Sequence, residues 1–228
     1  MINELDFPLL AGTIGAMLHV VSGPDHLVAV APFAIEEKKK AWKIGLMWGI
    51  GHLAGMLAIG VLVLLFKDMI PYEAISRNSE MSVGGILVLL GVWILYKAFY
   101  PPKSHGHAHA HSVRDVHSHS HTHPHYHSEK GQGLWTTFLL GTIHGLAGVS
   151  HLILFLPVIG FASNFEAGKY LVGFGIGTLF AMTFFAFLVG HFAIFTNADK
   201  NEKTFKTLRV ISALAAILVG VYWIFENI

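Results

Sequence analysis

Charged residues are absent from five long stretches, residues 44–66, 81–96, 134–165, 170–198 and 210–225, and a sixth, 7–35, holds a single acid, Asp25. About 20 apolar residues carry a helix across a bilayer, so this pattern predicts an all-α integral membrane protein with six transmembrane helices. The stretches 81–96 and 210–225 fall somewhat short of that length. Trp93, Tyr96 and Lys97 beside one, and Arg209, Tyr222 and Trp223 beside the other, can complete their ends at the interface. The opening Met1-Ile2-Asn3-Glu4 lacks the basic segment of a secretory leader, so the first stretch is expected to stay as a membrane helix.

Composition narrows the chemistry. Hydrophobic residues make up 54% of the 228, and 15 Lys plus Arg nearly balance 14 Asp plus Glu for a net charge of +1. No broad basic surface is available to neutralise phosphates, so nucleic acid is excluded as a partner. The chain has no cysteine, which removes disulfides, thiolate metal sites and thiol redox chemistry together. It also lacks a Gly-x4-Gly-Lys-Ser/Thr nucleotide loop. Neither an enzymatic reaction nor a resident cofactor is expected.

Six crossings place alternate connections on opposite sides. The first, third and fifth carry Lys38, Lys39, Lys40 and Lys43; Lys97, Lys103, Arg114 and Lys130; and Lys200, Lys203, Lys206 and Arg209, which is 12 of the 15 basic residues. Only Lys67, Arg77 and Lys169 fall on the other side. The positive-inside rule then puts both termini outside and the long central loop in the cytoplasm, with the protein multi-pass in the cytoplasmic membrane.

The halves resemble each other. Gly12-Thr13-Ile14 matches Gly141-Thr142-Ile143, Gly23-Pro24-Asp25-His26-Leu27 matches Gly148-Val149-Ser150-His151-Leu152, and Gly49-Ile50-Gly51-His52-Leu53 matches Gly175-Ile176-Gly177-Thr178-Leu179. In this register His19 falls near His144, and both halves read His-x6-His. Three spans per unit force the second unit to enter the membrane in the opposite sense. The expected architecture is a 3+3 inverted repeat: residues 1–100, a His-rich cytoplasmic linker at 101–133, and residues 134–228. Such repeats place a substrate site near the midplane, where interrupted helices meet. Gly23-Pro24 predicts an interruption in the first helix, since Pro24 lacks an amide hydrogen and crowds the preceding turn. Gly145, Gly148 and Pro157 are the related weak points in the fourth.

Six histidines, His19, His26, His52, His144, His151 and His191, lie in or beside apolar stretches. An ionisable side chain in hydrocarbon is costly unless it meets a partner or cavity. Neutral imidazole is also the commonest nitrogen ligand for divalent transition metals. On a continuous helix, seven residues put His19 and His26 on one face but about 10 Å apart. The break at Gly23-Pro24 shortens that separation and brings His19, Asp25 and His26 toward one centre; alternatively they form two stations along a path. Asp25 either ligates the ion or holds His26 in one tautomer. His144 and His151 extend the candidate set. His52, in Gly51-His52-Leu53-Ala54-Gly55, is either a ligand or a hydrogen-bonding residue at a close helix contact. His191, near a helix end, reads as an interfacial packing residue.

Ten more histidines, His105, His107, His109, His111, His117, His119, His121, His123, His125 and His127, alternate mostly with Ser, Ala, Gly and Thr. This composition reads as a disordered metal-capturing loop that concentrates ions more than it selects them.

His19-Val20-Val21-Ser22-Gly23-Pro24-Asp25-His26-Leu27, Gly51-His52 and the His-rich loop together resemble the nickel/cobalt transporter family, in particular its UreH-like nickel transport branch. The resemblance implies carriage of Ni2+ or Co2+, with His19, Asp25 and His26 as ligands. The better-known branch spaces its first motif His-x4-Asp-His, one residue shorter than here. Import is the expected direction, with efflux and a non-transporting metal sensor or urease-assembly scaffold as alternatives. A thiol electron carrier is excluded by the lack of cysteine. A zinc cation diffusion facilitator would show His-x3-Asp pairs and a soluble C-terminal domain. The expected partners are the divalent ion and the lipid bilayer, and the sequence is compatible with a homo-oligomer.

Overall fold

The computed structural model describes residues 7–66, 72–100, 132–147, 156–198 and 200–228. The ten loop histidines, His151, Gly148 and the basic residues Lys67, Lys103, Arg114 and Lys130 lie outside the described residues. Every regular element among those described is helical: α1 (Phe7–Ser22), α2 (Pro24–Glu37), α3 (Ala41–Phe66), α4 (Tyr72–Phe99), α5 (Gln132–Ala147), α6 (Leu156–Gly160), α7 (Asn164–Phe195) and α8 (Glu202–Glu226), with a 3-10 turn at Lys38–Lys40 between α2 and α3.

Among the described residues, four helical stretches are long and apolar enough to cross a membrane: Pro24–Leu62, Asn78–Phe99, Asn164–Phe195 and Glu202–Glu226. The first and fourth of the six apolar stretches read from the sequence do not appear there as single long helices. The physical reason lies in the breaks. α1 and α5 have 16 residues each, fewer than the roughly 20 a full crossing needs. α1 stops at Ser22 because Pro24 cannot continue its ladder; Gly23 takes an extended conformation (φ −88°, ψ 97°) and Pro24 opens α2 at its first position. α7 begins where Ser163 accepts a hydrogen bond from the Glu166 amide at 3.2 Å. α8 begins where the Asn201 side chain accepts from Lys203 and Thr204.

The surface is apolar and the interior partly polar. Leu18, Val21, Leu57, Leu65, Leu89, Phe195 and Phe225 are exposed, while Asp25, His26, His52, Thr137, His144, Thr178, Arg209 and Ser212 are buried. This inversion of the soluble pattern suits a hydrocarbon solvent. α2 is the exception among the helices. From Asp25 to Glu37 none of its residues is exposed, and it packs against α3, α7 and α8.

Glycines set the helix pairs. A Cβ at Gly12 would strike the Tyr170 carbonyl, and one at Gly173 or Gly177 would strike the Leu9 or Thr13 carbonyl, so α1 and α7 run parallel with their backbones in contact. The same device joins α3 to α5: Gly51 and Gly55 lie on the Phe138 and Thr142 carbonyls, while Gly141 and Gly145 lie on those of Trp48 and His52. Small residues at such contacts let van der Waals packing hold helices together where no hydrophobic force acts between them. α4 and α8 pack antiparallel, with Gly84 against Gly220 and Gly91 against Ala213.

At one end of the bundle, α2 is tied to α8. The Arg209 guanidinium donates to Glu36 Oε1 at 2.5 Å, with the arginine almost fully buried. Lys38, held at φ 48°, donates to the Ala198 carbonyl at 3.2 Å. Both cations also lie over the Phe205 ring, 4.8 Å and 4.6 Å from its centroid.

Candidate metal centre

The helix break assembles the site. His19 lies in the last turn of α1 and Asp25 and His26 in the first turn of α2. Because the chain turns at Gly23, the His19 and His26 rings stand edge to face with centroids 4.7 Å apart, where a straight helix would hold them about 10 Å apart. α3 supplies His52 from its middle and α5 supplies His144 from its last turn. The close glycine contacts between α3 and α5 set the His52 and His144 rings at a centroid distance of 5.5 Å. His26 sits between them, 4.9 Å from His52 and 4.7 Å from His144.

Asp25 organises the cluster. Its Oδ1 lies 3.3 Å from His26 Nδ1 and its Oδ2 3.0 Å from His144 Nε2. His26 and His52 are completely buried, and Asp25 and His144 nearly so. Two groups have ligand atoms all within 4.8 Å of one another: His19, His26 and His52; and Asp25, His26 and His144. Ligands on a transition-metal ion at about 2.1 Å lie roughly 3 to 4 Å apart, so each group needs only a small closure to grip one.

The backbone fields agree with a cation. The C-terminal ends of α1 and α5 carry partial negative charge beside His19 and His144, and the N-terminus of α2 favours the Asp25 carboxylate. Broken helices whose ends face a polar centre are a recurrent way to hold ions at membrane depth.

Of the residues singled out in the sequence, His19, Asp25, His26, His52 and His144 come together; His151 falls outside the described residues. His191 does not join them. It is exposed on α7, its ring 4.2 Å from that of Phe187. One contributor was not anticipated. Trp48, four residues before His52 and so on the same face of α3, lies 5.9 Å from the His144 ring, and its buried indole Nε1 has no hydrogen-bond partner among the described residues. The i, i+4 spacing to His52 was the available signal. Gly23, expected as part of the break, also leaves room for the ligands: a Cβ there would stand 2.5 Å from His26 Nδ1 and 3.0 Å from Asp25 Oδ1.

Comparison with known proteins adds the following. The family model described as the cytochrome c biogenesis protein transmembrane region matches residues 9–222. The chain is 30% identical over 210 residues to each of two Arabidopsis thaliana proteins, Chloroplast protein FOR GROWTH AND FERTILITY 1 and 2, covering 92% of this chain but 56% and 54% of theirs. It thus spans about half the length of those plant relatives. It is 29% identical over 221 residues to the Urease accessory protein UreH of Bacillus sp. (strain TB-90), covering 96% of this chain and 90% of that one. The UreH match bears out the resemblance carried by the first motif. No solved structure matches.

Proposed function

The chain belongs to the family described as the cytochrome c biogenesis protein transmembrane region, and on that premise we propose that it carries divalent transition-metal ions, nickel or cobalt, across the membrane. The observation that carries this reading is the convergence of four imidazoles and one carboxylate from α1, α2, α3 and α5 on a buried helix break. With no cysteine in the chain, the ligand set is nitrogen and oxygen, suited to Ni2+ and Co2+. Likeness to a protein named as a urease accessory factor supports nickel as the cargo.

In this reading the ion exchanges its water for His26 and Asp25 together with His19, His52 and His144, with His151 extending the path. The protein crosses the membrane six times as two opposed three-helix units. α1 with α2, α3 and α4 form the first; α5 with α6, α7 and α8 form the second. The parallel pairs α1–α7 and α3–α5 and the antiparallel pair α4–α8 support that arrangement, since each is the pairing six alternating crossings require. Rocking of one unit against the other exposes the centre to either side. The basic connections put the His-rich segment, His105 to His127, in the cytoplasm, where it buffers arriving ions. A membrane potential favours inward movement of a divalent cation by about 4.6 kcal/mol per 100 mV, so import needs no nucleotide.

Uptake of Ni2+ and Co2+ into vesicles of known orientation tests this, comparing the parent with His26→Ala and with a deletion of residues 105–127. Uptake lost in His26→Ala and slowed by the deletion is the expected result. Uptake by His26→Ala at the parental rate refutes the membrane centre, and no flux through the parent turns the reading to a sensor or scaffold.

A further inference from the structure

The five ligand-bearing side chains do not form one undivided cage. They fall into two overlapping sets, His19–His26–His52 and Asp25–His26–His144, each with all ligand atoms within 4.8 Å of one another and with His26 common to both. His26 is central to both: its ring is 4.7 to 4.9 Å from each of the other three, which lie farther from one another, His19 and His52 at 6.5 Å and His52 and His144 at 5.5 Å. One set offers three imidazoles; the other offers two imidazoles and a carboxylate. His26 turns its Nδ1 toward Asp25 and the Gly23 backbone, which directs Nε2, at the far edge of the ring, away from them.

We propose that these are two alternative seats for one transported divalent cation, a three-imidazole seat and a carboxylate seat, and that sharing His26 makes them mutually exclusive. The proposal rests on the carrier reading above and divides its site. A neutral imidazole has one N–H and one lone pair, so it ligates through a single nitrogen at a time. With the ion on the His19–His52 side, His26 binds through Nε2, and Nδ1–H donates to Asp25, which acts as an orienting acceptor. With the ion on the His144 side, His26 binds through Nδ1, the proton resides on Nε2, and Asp25 becomes a ligand. The two roles open to Asp25 are thus the two states of one centre. Holding both ions together would require an imidazolate, which three further imidazoles and a single carboxylate are poorly placed to support.

Co2+ titration of the purified full-length protein, its ten loop histidines replaced by serine, reads the centre directly through stoichiometry and the visible absorption of the bound ion. The parent is expected to bind one Co2+ per chain. His52→Ala and His144→Ala are each expected to bind one as well, with different spectra, because each retains a different seat; His26→Ala is expected to bind none. Two ions on the parent, identical spectra for the two single variants, or loss of binding in either of them overturns the division while leaving the carrier reading intact. Binding by His26→Ala equal to the parent overturns the carrier reading itself. Should an alanine variant elute as aggregate, His52→Gln and His144→Gln preserve more of the side-chain volume and give the same comparison.

Discussion

Replacing Gly23 by alanine tests how the helix break positions His26. The backbone tolerates the change: φ −88° and ψ 97° lie in the extended region that a residue before proline prefers. Loss of glycine's freedom in the unfolded chain adds about 0.4 to 1 kcal/mol of stability. The new methyl, however, would stand 2.5 Å from His26 Nδ1 and 3.1 Å from its Cε1. Reaching ordinary contact requires the ring to move by roughly 1 Å, several times the ~0.2 Å tolerance of a metal–ligand bond. His26 is fully buried, so it has no solvent-side position to occupy. Gly23→Ala is therefore expected to weaken Co2+ affinity about 10- to 100-fold, the range seen when a ligand loses its orienting support, and to lower the Tm of the detergent-solubilised protein, since overpacking costs about 1 to 3 kcal/mol against the backbone gain. Calorimetric titration beside a thermal melt measures both. Parental affinity in Gly23→Ala would refute the positioning argument.

The remaining predictions concern charge, helix approach and the tie between α2 and α8. Asp25→Asn keeps the shape of the side chain but removes its charge, and vesicle uptake is expected to fall at least tenfold with little change in the melt; uptake within twofold of the parent would deny Asp25 a role at the ion. Gly145→Ala places a methyl on the His52 carbonyl and is expected to cost about 1 to 3 kcal/mol in reversible unfolding, as overpacking does, and to reduce ion binding by parting α3 from α5. Arg209→Met strands Glu36, whose side chain is 28% exposed. The expected loss of about 2 kcal/mol lies below the range for a fully buried pair because water still reaches that carboxylate. Adding Glu36→Gln is expected to restore much of it, which a double-mutant cycle measures.

The sequence displayed the parts of the centre more clearly than their assembly. Pro24 has no amide hydrogen to give, so the break before it was readable, and with it the approach of His19 to His26. His52 carried a signal in its flanking Gly51 and Gly55, which the α3–α5 contact uses. That His52 and His144 both come up against His26 was not readable, because it depends on the packing of α5 onto α3. The alignment of the halves also misled locally. His-x6-His sets His19 beside His144, whereas the glycine contacts give Phe138 and Thr142 the part on α5 that Leu9 and Thr13 play on α1, about one helical turn away. Apolar helices accept such slips because many registers bury similar surfaces. Charge-free stretches gave the number of apolar segments, and it took Gly23-Pro24 to show that the first of them is broken, since hydropathy registers composition and is blind to a missing hydrogen bond.

α2 illustrates what a bilayer permits. At 14 residues it reaches about 21 Å, and its leading end, with the bend before it, sits at a depth where bare amides would be intolerable in oil. From Asp25 to Glu37 none of its residues is exposed, so beyond its first residue it answers chiefly to protein. Thickening or thinning of the surrounding lipid therefore has little direct purchase on it, and the cluster at its leading end is buffered from the composition of the membrane around it.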